Sequence, residues 1–118
     1  DEEEQRHIRE DLSEEHLALF DILVQGKEVK GQQKETIKRV AKELLESLKE
    51  SKLRIDRWWE KEQTKAAIRT DIRDFLYDGT RGLPLEIYTI QDVDMKTEFV
   101  FDHIYHQFPG AQQYPYAA

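Results

Sequence analysis

The sequence predicts an all-α fold, a compact bundle of four to five helices in a single domain without a sheet. Apolar residues recur at three- and four-residue spacing through most of the chain, which is the period of amphipathic helices. The longest strand-like alternation, residues 85–90, is too short and isolated to make a sheet. A length of 118 residues supports one hydrophobic core and leaves no room for a second.

The first two helices are predicted over residues 14–25 and 32–50. Ser13 is a suitable N-cap for the first helix, and Gly26 suits a left-handed stop at its end. The first helix is apolar over more than a narrow stripe, which predicts a central position, and the second has the clearest amphipathic pattern. The core residues predicted for this half of the chain are Leu17, Phe20 and Leu44.

The last two helices are predicted on either side of a loop that contains glycine and proline. Asp56 is a candidate cap for the third helix, which should end near Tyr77 because helix-breaking residues follow. Thr89, with Asp92 three residues later, indicates the start of a fourth helix that continues to about Phe108. The core residues predicted for this half are Trp58, Ile68, Ile72, Val100 and Ile104.

The chain divides into an acidic lead-in or linker over residues 1–12, a helical domain over 13–108 and a flexible tail over 109–118. It opens at Asp1 without an initiator methionine, and we expect it to be a piece of a larger protein. There is no cysteine, which fits a reducing cytoplasm, and no apolar run is long enough to span a membrane.

A basic stripe beside an apolar stripe is the most informative pattern of the third helix. At about 100° per residue, Lys61, Lys65, Arg69 and Arg73 lie on or beside its apolar face, and Arg57 precedes them. The net charge of −7 divides into −7 over residues 1–28, +5 over 29–73 and −5 over 74–118. Binding to a polyanion depends on local potential, so these five cations are predicted to contact DNA or an acidic partner. A merely solvated face remains the alternative.

Two adjacent tryptophans introduce the same helix. Neighbouring residues of a helix diverge by about 100°, so Trp58 and Trp59 cannot share one pocket. One is expected in the core and the other at its rim. Trp59 is the candidate anchor for a protein partner, because tryptophan is enriched in interface hot spots, and packing within the domain is the alternative.

Motifs of catalysis and cofactor binding are weak or missing, and no catalytic residue or metal site is predicted. The glycines are too scattered for a phosphate loop or a dinucleotide fingerprint. The acidic-x-Lys triplets at 28–30 and 94–96 match half of a nuclease metal motif, but neither lies on a predicted strand. Asp102, His103 and His106 could serve a small metal-dependent hydrolase, but zinc needs three or four ligands. Ordinary, partly exposed histidines are the expectation.

The order and spacing of several short signatures resemble the C-terminal helical domain of the motor (restriction) subunit of type I restriction-modification enzymes. These signatures span about residues 13–105. They are Glu15-His16-Leu17-Ala18-Leu19-Phe20-Asp21, the Trp58 region, Gln63-Thr64-Lys65-Ala66-Ala67-Ile68-Arg69, Leu83-Pro84, Tyr88, and Phe99-Val100-Phe101-Asp102-His103-Ile104-Tyr105. The loop over 80–87 is longer than the pattern, and Tyr114-Pro115-Tyr116 has no match in it.

The resemblance implies a cytoplasmic parent that uses ATP and Mg to translocate double-stranded DNA and cuts it with a separate nuclease domain. It implies no catalysis and no cofactor for this chain, which would dock the motor on the methyltransferase and specificity subunits and contact DNA. Lys65 and Arg69 match basic positions of the pattern, and Trp58, Ile68, Val100 and Ile104 match apolar ones. The alternative is a generic helical protein-interaction module without DNA contact.

Overall fold

The computed structural model describes residues 12–107, which fold as four α-helices and one short 3₁₀ turn. The elements are α1 (Glu14–Val24), α2 (Gln32–Glu50), the 3₁₀ turn (Trp58–Glu60), α3 (Glu62–Leu76) and α4 (Ile90–Gln107). No strand forms within these described residues, and the predicted all-α, single-domain fold is confirmed. The predicted lead-in and tail lie outside the described residues, apart from Leu12, which is buried.

Several helix ends follow the local signals in the sequence. The Ser13 hydroxyl accepts a hydrogen bond of 3.3 Å from the His16 backbone N–H, which caps α1. Gly26 has a φ of 81° just beyond the end of α1. Thr89 and Asp92 form a reciprocal box, because each side chain accepts a hydrogen bond from the other residue's backbone N–H, at 3.1 and 2.9 Å.

The third helix begins later than predicted. Residues 51–57 form turns, Arg57 has the left-handed angles φ 55° and ψ 38°, and Lys61 is extended at the N-cap of α3 without a side-chain cap. A start capped by Asp56 is therefore wrong. The reason is tertiary: Trp58 and Trp59 both pack on the core cluster, whereas a regular helix would direct one of them away.

The core is one apolar cluster to which all four helices contribute. Helix α1 packs mainly on α2 and α3 mainly on α4, while contacts between α1 and α4 and between α2 and α3 close the bundle. Of the residues predicted for the core, Leu17 is partly buried against this cluster. The others, Phe20, Leu44, Trp58, Ile68, Ile72, Val100 and Ile104, are buried.

The connection between α3 and α4 is a tight turn held by backbone groups. The Asp78 carboxylate accepts hydrogen bonds from the Thr80 and Arg81 backbone N–H groups, at 2.7 and 2.9 Å. The Leu83 N–H then donates to the Leu76 carbonyl at 2.8 Å, which satisfies an acceptor at the end of α3. A Cβ on Gly82 would lie 2.3 Å from that same carbonyl oxygen, so only glycine fits there.

None of the helices formed by residues 12–107 combines the length and the apolar character that crossing a membrane would require.

Candidate docking surfaces

The cations of α3 lie beside carboxylates of this domain. Lys65 is 2.9 Å from Glu62, one turn earlier on α3. Arg69 and Arg73 reach across to α4, where they lie 3.2 Å from Glu98 and 2.7 Å from Asp94. The hydrogen bond from Arg73 to Asp94 is the main reason that the pKa of Arg73 is raised.

Aromatic rings of α4 hold two of the same cations in place. The Arg69 guanidinium lies 4.1 Å from the centre of the Phe101 ring, and the Lys65 ammonium 5.5 Å from that of Tyr105. These contacts use α3 cations to join α3 to α4. Sequence periodicity showed these cations but not the acids beside them, and their predicted contact with DNA or an acidic partner stays a prediction.

Arg57 and Lys61 differ from the other three predicted contact residues, because they precede α3 rather than lie on it. The Arg57 side chain is 66% exposed and lies 3.5 Å from Glu60. Lys61 is exposed and forms no ion pair with any other residue in the described range. Among the five predicted contact residues, these two are exposed and pair with no carboxylate of α4 within the described residues.

The two tryptophans occupy different environments. Trp58 is buried, and its ring meets Trp59 edge to face at a centroid distance of 6.0 Å and Tyr105 at 6.2 Å. Trp59 is partly buried against the core, and part of the residue stays accessible. Its role as a partner anchor stays a prediction.

The outer face of α4 exposes apolar side chains that the sequence reading did not single out. Met95 is 49% exposed and Phe99 48% exposed, one helical turn apart. A signal was available, because both residues fall outside the apolar arc that contains Val93, Val100 and Ile104. Two large apolar residues therefore lie on the otherwise polar side of this amphipathic helix.

Two open grooves flank Phe99. The first, of about 570 Å³, lies between α3 and α4 and includes Lys65, Arg69 and Tyr105. The second, of about 540 Å³, lies between the end of α1 and α4 and includes Ile22, Gln25 and His103. Phe99, Asp102 and His106 line both grooves and separate them.

The histidines of α4 have separate surroundings. The His106 Nδ1–H donates to the Asp102 carbonyl at 2.8 Å, within one helical turn. Burial lowers the pKa of His103, and Asp102 opposes that shift. Within residues 12–107, no group of three or more His, Asp or Glu side chains is arranged to hold a metal ion.

A buried polar anchor joins the end of α1 to α4, and the sequence reading missed it. The Lys96 ammonium donates to the Ile22 and Gln25 carbonyls, at 2.9 and 2.7 Å, which satisfies acceptors at the end of α1. Lys27 donates to Asp92 at 2.7 Å. The signal was a lysine between Val93 and Val100 in an apolar stripe. In the Asp94-Met95-Lys96 triplet, Asp94 pairs with Arg73 and Lys96 bonds to α1. Both residues that could suggest metal chemistry therefore have structural partners.

A second polar group joins α1 to α2. His16 is hydrogen-bonded through one ring nitrogen to Ser13 and through the other to Glu46, both at 2.9 Å. The bond to His16 is the main reason that the pKa of Glu46 is lowered. Ser13 also caps α1, so this serine–histidine–glutamate chain holds the start of the bundle together.

The four packed helices define the described part of the chain as an all-α helical-bundle domain. Its sequence matches a family model over residues 1–107, and the chain belongs to that family, described as type I restriction enzyme HindI endonuclease subunit-like, C-terminal. The resemblance found in the sequence is thereby confirmed. Comparisons with curated proteins and with solved structures found no match.

Proposed function

We propose that the domain is a non-catalytic assembly module of a cytoplasmic type I restriction endonuclease subunit, which docks the motor on the methyltransferase and specificity subunits. The family description, which names a subunit, supports this role. The observation that carries it is the exposed apolar pair Met95 and Phe99, of which Phe99 lies between two open grooves. In this proposal ATP and Mg act in other domains of the parent, and no cofactor binds here.

Deletion of the domain tests this function directly. The complete endonuclease subunit and a subunit lacking residues 1–107 are mixed with the methyltransferase and specificity subunits, and assembly is followed by size-exclusion chromatography. We expect the shortened subunit to elute separately. Unchanged thermal unfolding and ATP hydrolysis of the remaining domains would show that the deletion has not damaged them. Normal assembly of the shortened subunit would contradict the proposal.

The cations of α3 are proposed to take little part in DNA contact. To reach a phosphate, Arg69 must leave Glu98, an exposed pair of the kind that contributes at most about 1 kcal/mol. Replacing this ion pair by a phosphate contact would cost little free energy, but the carboxylates of Glu98 and Asp94 would still repel the DNA backbone. Arg57 has Glu60 at 3.5 Å, but within the described residues neither Arg57 nor Lys61 pairs with a carboxylate of α4, and we propose these two as the residues that contact double-stranded DNA.

A double substitution, Arg57→Gly with Lys61→Glu, tests the DNA contact in the complete subunit. Glycine adopts the left-handed backbone of Arg57 without the strain of roughly 1–3 kcal/mol that other residues bear, so the fold should tolerate the change. If two phosphate contacts are lost, the logarithmic salt slope of DNA binding should become shallower by about 2. The control is Lys30→Glu, an exposed lysine between α1 and α2.

A protein-interaction module without DNA contact is the second candidate function. It is favoured by the pairing of Lys65, Arg69 and Arg73 with internal carboxylates. Under this alternative, the double variant and the Lys30→Glu control bind DNA with the same salt slope.

A further inference from the structure

The outer face of α4 changes from apolar to polar along its length. Met95, Phe99, Asp102 and His106 follow one another at spacings of four, three and four residues, so they share one side of the helix. The first two side chains are about half exposed, and those of Asp102 and His106 are 74% and 68% exposed. We call these four residues the α4 ridge.

The charge beside the ridge is not fully compensated inside the domain. Asp94 and Glu98 lie next to Arg73 and Arg69, respectively. Asp92, the other carboxylate near the start of α4, pairs with Lys27. Among the described residues, Asp102 has only His106 as an ion-pair partner, at 3.5 Å, and that histidine is charged only when protonated.

We propose that the α4 ridge is the docking surface for an amphipathic segment of a protein partner, with an apolar side chain against Phe99 and a Lys or Arg against Asp102. The inference rests on the proposed assembly function and names the chemistry of the partner. Apolar surface at Met95 and Phe99 would supply affinity, and the ion pair at Asp102 would set the register.

Two other occupants fit the ridge less well. DNA would place phosphates against the carboxylate of Asp102, which is unfavourable. A second copy in a twofold arrangement would bring the α4 ridge against itself and supply no cation for Asp102, because a twofold interface pairs each patch with its equivalent. A basic, amphipathic protein segment satisfies both the exposed apolar surface and the charge.

The test uses the complete endonuclease subunit with Phe99→Ala and, separately, Asp102→Lys. The dissociation constant of its complex with the methyltransferase and specificity subunits is measured by titration. Each variant should weaken assembly roughly tenfold or more, as expected for an interface hot spot. Because both side chains are exposed, the thermal unfolding midpoint of the subunit should stay close to that of the unchanged protein.

Matched controls separate the ridge from surface changes in general. Leu85→Ala removes another apolar side chain of 41% exposure, and Asp74→Lys reverses another exposed carboxylate, on α3. Both controls should assemble normally. A salt titration of the dissociation constant is an independent measurement, because the Asp102→Asn variant should lose part of the salt dependence of assembly.

Several outcomes would overturn the inference. If Phe99→Ala assembles normally while deletion of the domain abolishes assembly, the proposed function stands and the ridge is not its surface. If Asp102→Lys binds as tightly as the unchanged subunit, the partner is not basic. Weaker DNA binding by Phe99→Ala without the other subunits, or loss of a homodimer, would identify one of the two disfavoured occupants.

Discussion

At the scale of single residues, the backbone around Gly82 leaves no room for a side chain, although the sequence gives no sign that this glycine differs from Gly79. Gly79 and Gly82 lie three residues apart in the same connection. A Cβ at Gly79 would meet nothing within 4 Å, whereas one at Gly82 would lie 2.3 Å from the Leu76 carbonyl oxygen and 2.5 Å from that of Phe75. Neither oxygen can move without disturbing the end of α3, so the two glycines have unequal roles.

Gly82→Ala should therefore lower the free energy of unfolding by about 1–3 kcal/mol, as for other over-packed sites. Chemical denaturation followed by circular dichroism measures this difference. Gly79→Ala is the matched control and should differ little from the unchanged protein. Equal stability of the two variants would contradict the close approach of the turn to α3.

At the scale of elements, the ends of the helices are held by charged groups from other elements. The start of α4 depends on Asp92, which accepts hydrogen bonds from the Thr89 backbone N–H and from Lys27. The hydrogen bond from Lys27 is the main cause that lowers the pKa of Asp92, followed by that from Thr89. The Asp92 side chain thus links the loop after α1 to the start of α4.

This linkage predicts a loss of stability in acid. A carboxyl with a lowered pKa in the folded state contributes its full stabilisation above the unfolded value, here 3.8, and loses it as the pH falls through the folded pKa. At pH 7, Asp92→Asn should have a lower unfolding midpoint than the unchanged domain, and the gap should close as the pH falls below about 4. Thermal unfolding at several pH values checks this, with Asp74→Asn as control. A gap that persists in acid would show that Asp92 acts through its shape alone.

At the scale of the whole molecule, the bundle closes where its first and last helices meet. Lys96 makes that junction, since its ammonium is bonded to two carbonyls at the end of α1 and the residue is only 5% exposed. Burial is the main cause that lowers the pKa of Lys96, and Asp92 opposes it. The cation is retained at this part-buried junction because it satisfies two backbone acceptors at the end of α1.

Lys96→Met should keep the apolar stem but leave the Ile22 and Gln25 carbonyls without this donor. Unsatisfied buried acceptors cost about 1–3 kcal/mol, and we expect a loss of that size in equilibrium unfolding. Lys42→Met changes an exposed lysine of α2 in the same way and should have little effect. A Lys96→Met variant as stable as the control would show that the carbonyls have other donors.

The helical class, the Ser13 and Thr89 caps and the apolar faces could be predicted from the sequence, because they depend on residues within four positions of one another. The same local order of signatures identified the family. The late start of α3 and the pairing of Arg69 and Arg73 with α4 could be seen only in the folded molecule. Each of these depends on groups more than twenty residues apart or on which faces of the helices meet. Periodicity within one helix describes its own sides and carries no information about the charge or shape of the element that packs against them.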